Sequence, residues 1–174
     1  MKKYFSIICL FLALSFLAAS ANAADTWSYK TNEDKMTSAA TKVATLMSDN
    51  TLSLPFPYKD SENYGLLIIR QSTGKPVDVL VSIKKGQILC PGYGDGCTVT
   101  VRFDNDKPIR FGAIGPSDHS STAFFIHNTS RFLTGAKKAK RILIQFTMYN
   151  AGEQTLEFNP AENLEWNTTT SKKK

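Results

Sequence analysis

The sequence predicts a mainly β protein, an antiparallel β-sandwich-like single domain with one short α-helix. Three observations carry that expectation. Apolar and polar residues alternate along Val77–Ile83, Val99–Phe103 and Ile142–Met148, the period of two of a strand with one buried face. Clusters of Gly, Pro, Asn and Asp separate these runs, as turns require. A single stretch, Phe132, Leu133, Ala136 and Ala139, repeats at helical spacing.

The chain opens on a signal peptide, Met1–Ala23. Lys2 and Lys3 form its charged start, and Phe5–Ala18 is an apolar core too short for a comfortable membrane span. Ala21-Asn22-Ala23 fits the small-x-small cleavage pattern, so the mature chain is expected to start at Ala24. A bacterial periplasm or the medium follows as location, with no stable membrane insertion after cleavage. Cys9 lies in the apolar core without the small-residue run of a lipoprotein site and leaves with the signal; a retained anchor is the rival reading. Cys90 and Cys97 remain, an even count suited to an oxidising compartment. Asn128-Thr129-Ser130 and Asn167-Thr168-Thr169 match glycan acceptors, which mean little in a bacterial periplasm.

The formal net charge is +6, of which Lys2 and Lys3 supply two and Lys172–Lys174 three. The remaining body is nearly neutral and has no polyanion footprint, which argues against nucleic acid as a partner. Residues 24–167 form one expected domain, and 168–174 a disordered basic tail.

Trp27 and Tyr29 alternate with Ser28 and Lys30 in a short first strand, and Thr31–Lys35 is turn-like. Thr37–Met47 fits two patterns. Met36, Ala40, Val43 and Met47 share a helical face, whereas Val43, Thr45 and Met47 alternate; the threonines favour a strand. Ser48-Asp49-Asn50 is a turn. Pro55-Phe56-Pro57-Tyr58 carries too many prolines for a central strand. Its rings either lid the core or form a recognition surface, with Phe56 and Tyr58 as binding residues. Leu66–Ile69 is a continuous apolar run ending at Arg70 and reads as a buried strand.

Gly86–Asp104 is the expected anchor of the fold. Pro91-Gly92-Tyr93-Gly94-Asp95-Gly96 is a loop between the strands Val77–Ile83 and Val99–Phe103, which most simply form an antiparallel hairpin. Cys90 and Cys97 sit at the mouths of this loop and are expected to form a disulfide; half of a zinc site is the rival reading. Tyr93, at the centre of the loop, is the leading binding residue. Its glycine neighbours allow close backbone approach, and tyrosine offers wide contact with few rotors. The alternative is that Tyr93 packs over the hairpin.

Asn105-Asp106-Lys107-Pro108 turns the chain into a strand at Ile109–Ile114, and Thr122–Ile126 alternates again. Asn128, Thr129 or Ser130 can cap the helix, expected near Thr129–Lys140 with lysines gathered at its C-terminal end. Asn150–Glu153 turns the chain into a strand through Leu156 and Phe158, and Leu164 and Trp166 end the ordered part.

Catalytic, metal and cofactor signatures are missing from this pattern. Asp118, His119, Ser120 and Ser121 are neighbours in sequence, which does not make a triad, and no nucleophile-elbow motif is present. Two histidines and two mature cysteines argue against a catalytic zinc, and Asp104-Asn105-Asp106 lacks calcium-loop spacing. No enzyme activity and no cofactor are expected.

Trp27, the Leu66–Arg70 segment, Val101-Arg102-Phe103-Asp104, Phe124–Ile126 followed by Phe132-Leu133, and Leu156–Phe158 with Leu164–Trp166 form a familiar layout. It resembles small exported bacterial proteins of unknown function and, more distantly, the VasI/TagO family associated with type VI secretion. Gln71 stands where that family carries a cysteine after its L-x-I-R segment. The resemblance implies an accessory role in a secretion system or envelope assembly, with a protein partner and no catalytic residues. The alternative is a secreted inhibitor or immunity protein against a toxin or wall-degrading enzyme, for which a stapled loop is well suited. A hydrolase ranks third.

Overall fold

The computed structural model describes residues 26–59 and 62–167, so the expected signal peptide and basic tail lie outside the described residues. Among these residues the chain forms β1 (Ser28–Glu33), β2 (Ala40–Thr51), β3 (Tyr64–Ser72), β4 (Asp78–Ile83), β5 (Cys97–Phe103), β6 (Ile109–Ile114), β7 (Ala123–Ile126), α1 (Thr129–Ala136), β8 (Ile142–Met148) and β9 (Gly152–Phe158). All strands join one antiparallel sheet in the order β1-β2-β3-β4-β7-β6-β5-β8-β9. The mainly β fold with one short helix is therefore as expected. The sandwich-like packing comes from one sheet folded on itself.

Alternation explains that folding. Ala44 and Leu46, Leu67 and Ile69, Val79 and Val81, Val99 and Val101, Ile142 and Ile144, and Leu156 and Phe158 are all buried. Each of these strands thus turns one face to a common core, whereas β1 is exposed along its length. β1 pairs only with Ala40–Thr45 of β2. The far half of β2 is left to meet β9, which lies at the other end of the strand order. Asn50 makes the join: its Nδ2 donates to the Thr155 carbonyl at 2.9 Å, and its Oδ1 accepts from the Glu157 amide at 2.8 Å. Gly65 of β3 admits the Leu156 side chain against its backbone, where a Cβ would collide with that leucine.

One end of the roll is plugged by α1. Phe132 meets Phe103 and Phe111 edge-on, with centroids 5.5 and 6.0 Å apart. Gly135 lies against the Phe103 ring so closely that a Cβ would overlap it. The expected side-chain cap is not made. Asn128 occupies the left-handed region (φ 54°), and its carbonyl accepts from the Arg131 and Phe132 amides. Neither do lysines fill the last turn: Lys137 is the C-cap, and Lys138 and Lys140 follow the helix, which ends at Ala136. Asp104 ties the helix exit to the β5–β6 turn by accepting from the Lys140 and Arg141 amides at 2.8 and 2.9 Å.

Further expectations change. Val77–Ile83 and Val99–Phe103 are not a hairpin, because β7 and β6 lie between β4 and β5. The Thr37–Met47 stretch is strand from Ala40, as its threonines favour. But β2 runs on through Ser48-Asp49-Asn50, where a turn was expected, because Ser48 is buried and Asn50 reaches β9; β1 likewise runs on through Thr31–Glu33. β3 is buried on one face only. On its outer face Leu66 and Ile68 remain half-buried, and Ile68 continues across the sheet to Leu80 and Phe125. The Arg70 guanidinium lies 5.3 Å from the Phe125 ring centroid, so an apolar outer stripe is partly covered by a cation held to Asp78 at 3.0 Å.

Candidate functional site

The topology gathers the described parts of four connections at the end opposite α1: 52–59 with 62–63, 84–96, 115–122 and 149–151. Hydrogen bonds knit them together. The Leu89 amide donates to the Thr147 carbonyl at 2.9 Å, and the Tyr149 amide to the Gln87 carbonyl at 2.8 Å. Ile88 donates to Ser121 at 2.7 Å, and Gly115 to Pro91 at 2.9 Å. Residues 87–89 therefore act as an added rung beside the end of β8, with Ile88 bridging to Met148. Asn63 fixes the entry to this segment. It is fully buried, donates to the Lys85 carbonyl at 2.6 Å and accepts from the Lys85 amide at 3.0 Å. That geometry reproduces a strand pair with a single amide side chain.

Cys90 and Cys97 form the expected disulfide, with an S–S distance of 2.08 Å and a Cα–Cα distance of 5.0 Å. It joins this rung to the first residue of β5 and does not span a hairpin. The pairing fits an oxidising, extracytoplasmic setting. No helix among the described residues is long and apolar enough to cross a membrane.

Within the stapled loop, Tyr93 is 72% exposed and so does not pack down over its neighbours. The Pro55–Tyr58 segment divides. Tyr58 is half-buried and packs against the core, whereas Phe56 is 88% exposed. Leu89 and Tyr149, which the sequence reading did not single out, are 50% and 57% exposed. The loop end thus carries four large exposed side chains on a frame of hydrogen bonds and one disulfide. Elsewhere the exposed large apolar residues are scattered, as Met36 is in the β1–β2 turn. The sequence did hold a signal for the two missed residues. Leu89 follows Ile88 out of phase, and Tyr149 is an aromatic residue at the edge of a polar turn.

Two depressions lie on this end. One, of about 180 Å³, brings together Phe56, Tyr58, Gln87, Tyr149 and Asn150 over Leu54 and Met148. The other, broader and shallower at about 380 Å³, sets Tyr93 and Leu89 beside the disulfide, Pro116, His119 and Ser121. No Lys, Arg, Asp or Glu lines either one. The predicted residues are therefore split, with Phe56 and Tyr58 in one depression and Tyr93 in the other, joined along 87–89.

The Asp118–Ser121 cluster flanks the second depression, but its hydrogen bonds are those of a turn. Asp118 Oδ1 accepts from the Ser120 amide at 3.0 Å, and the Ser120 and Thr122 hydroxyls pair at 3.0 Å. Among the described residues, no group of three His, Cys, Asp or Glu side chains is placed to hold a metal ion. The arrangement suits contact by apolar and aromatic surface with hydrogen bonds from neutral groups. No family model matches the chain, and no curated protein or solved structure matches it either.

Proposed function

We propose that this is a non-enzymatic binding protein of the bacterial periplasm or exterior, and that it engages a protein partner through its loop end, centred on Tyr93. The carrying observation is the concentration of Phe56, Leu89, Tyr93 and Tyr149 at one end, held by the Cys90–Cys97 staple. Exposed aromatic side chains on a rigid frame are what binding hot spots are made of, because little conformational freedom is lost on docking. The uncharged lining favours a partner surface of mixed, weakly charged character over a strongly cationic or anionic one. An accessory role in secretion or envelope assembly is the first reading of that partnership. A stapled loop with an exposed tyrosine also suits the second reading, an inhibitor or immunity protein whose Tyr93 enters a target's cleft.

The test is photocrosslinking in the native compartment. A photoreactive residue placed at Tyr93 or Leu89 should give one discrete adduct, and the same residue at Met36, at the far end, should give none. Equal adducts from all three positions, or none from any, would reject the loop end as the interface. The identity of the adduct decides between the readings. Secretion-apparatus or envelope proteins support the first, and a toxin or wall-degrading enzyme the second.

A further inference from the structure

We infer that the smaller depression, between Phe56 and Tyr149, binds a single uncharged sugar ring, with an N-acetylhexosamine as the best fit. The site shares Phe56 and Tyr149 with the proposed protein-binding end but does not include Tyr93, and it does not depend on the Tyr93 contact. Its floor is apolar, because Leu54 and Met148 line it and are themselves buried. Its walls are aromatic: the Phe56 ring is almost wholly exposed, Tyr149 is more than half exposed, and Tyr58 is held by the core. Its polar groups are the side-chain amides of Gln87 and Asn150. Neither amide has a hydrogen-bond partner among the described residues, although both side chains belong to segments whose backbone is fixed.

That combination matches the two-sided chemistry of a pyranose. The ring's C–H face is weakly electropositive and stacks on the electron-rich face of Phe or Tyr. The ring's edge carries hydroxyls that both donate and accept, and each amide offers two donors and one acceptor. A charged ligand would enter a depression that offers no counter-charge. The volume, about 180 Å³, is that of a pocket for one ring and not of a groove for an extended chain. An acetamido substituent adds a methyl for the apolar floor and an amide that pairs with Gln87 or Asn150, which a plain hexose lacks.

The experiment is an amide chemical-shift titration of the disulfide-bonded protein with an N-acetylglucosamine trisaccharide and, separately, an oligoproline peptide. The expected result is saturable shifts confined to the backbone amides around Phe56, Tyr58, Gln87 and Tyr149 with the saccharide and none with the peptide. Tyr149→Ala and Gln87→Ala should each weaken binding by about tenfold without lowering the melting temperature. Tyr149→Phe should keep the stacking and most of the affinity, and Tyr93→Ala should leave sugar binding unchanged. No saturable shift, shifts scattered elsewhere, or a response to oligoproline alone would overturn the inference. The last of these would assign the depression to an extended peptide. None of these outcomes bears on the Tyr93 crosslinks, so failure here is distinguishable from failure of the protein-binding reading.

Discussion

Asn50 closes the fold with one side chain where a ladder would use several backbone pairs. Its amide satisfies a β9 carbonyl at Thr155 and a β9 amide at Glu157. Asn50→Ala leaves both without that partner, so a loss of about 1–3 kcal/mol in urea unfolding is expected. Asn50→Asp retains only the acceptor half and should recover part of the loss at most, since it places a carboxylate against the Thr155 carbonyl. An Asn50→Ala protein as stable as wild type would show that Leu156 seated on Gly65 closes the roll unaided. Asn63 plays the same part at the loop end, and its sequence context said nothing of it. An asparagine at the end of a polar loop reads as turn chemistry until the chain returns at Lys85 to meet it.

At the scale of elements, alternation was a reliable guide to strands and a poor guide to their neighbours. β8 matches its expected span, and the Thr37–Met47 ambiguity resolved as strand because Ala44 and Leu46 face the core while Val43 and Thr45 stay half-exposed. The hairpin expectation for Val77–Phe103 failed for a physical reason. The connection is long enough to cross the end of the roll, and its Gln87–Leu89 stretch finds backbone partners on β8 before the chain reaches Cys97. The disulfide was legible because spacing and compartment decide it without the pairing order of the strands. Cys90→Ser/Cys97→Ser should therefore lower stability by about 2–3 kcal/mol. The unreduced native protein should take up no thiol-alkylating reagent, as read by intact mass. Two alkylated thiols there would contradict the staple.

The β1–β2 turn carries a pH dependence of its own. Asp34 accepts from the Thr37 amide at 2.8 Å, the Thr37 hydroxyl at 2.9 Å and the Met36 amide at 2.9 Å. The Thr37 backbone bond is the largest cause holding its carboxyl below the ordinary carboxylate value, followed by the Thr37 hydroxyl and the Met36 amide. A lowered folded-state pKa means that the turn's support is present above the unfolded value and is lost as pH falls through the folded one. The Met36 and Thr37 amide resonances should therefore move together on acid titration, with a midpoint below that of an unperturbed aspartate. A midpoint at or above that of an unperturbed aspartate would contradict it.

For the whole molecule, the sequence showed fold class and staple, but not the folding of one sheet back onto itself, which depends on contacts far apart in the chain. The candidate surface was half legible for the same reason. Phe56, Tyr58 and Tyr93 stand out in their own segments, while Leu89, Gln87, Tyr149 and Asn150 join them only because the Ile88–Met148 bridge lays 87–89 beside the end of β8. The central claim is that this end, and Tyr93 above all, binds a protein. Its most direct test is the affinity of Tyr93→Ala for the crosslinked partner, measured beside its melting temperature. The account predicts binding weakened by about 1–2 kcal/mol or more with little change in melting temperature. Wild-type affinity in the Tyr93→Ala protein would contradict it.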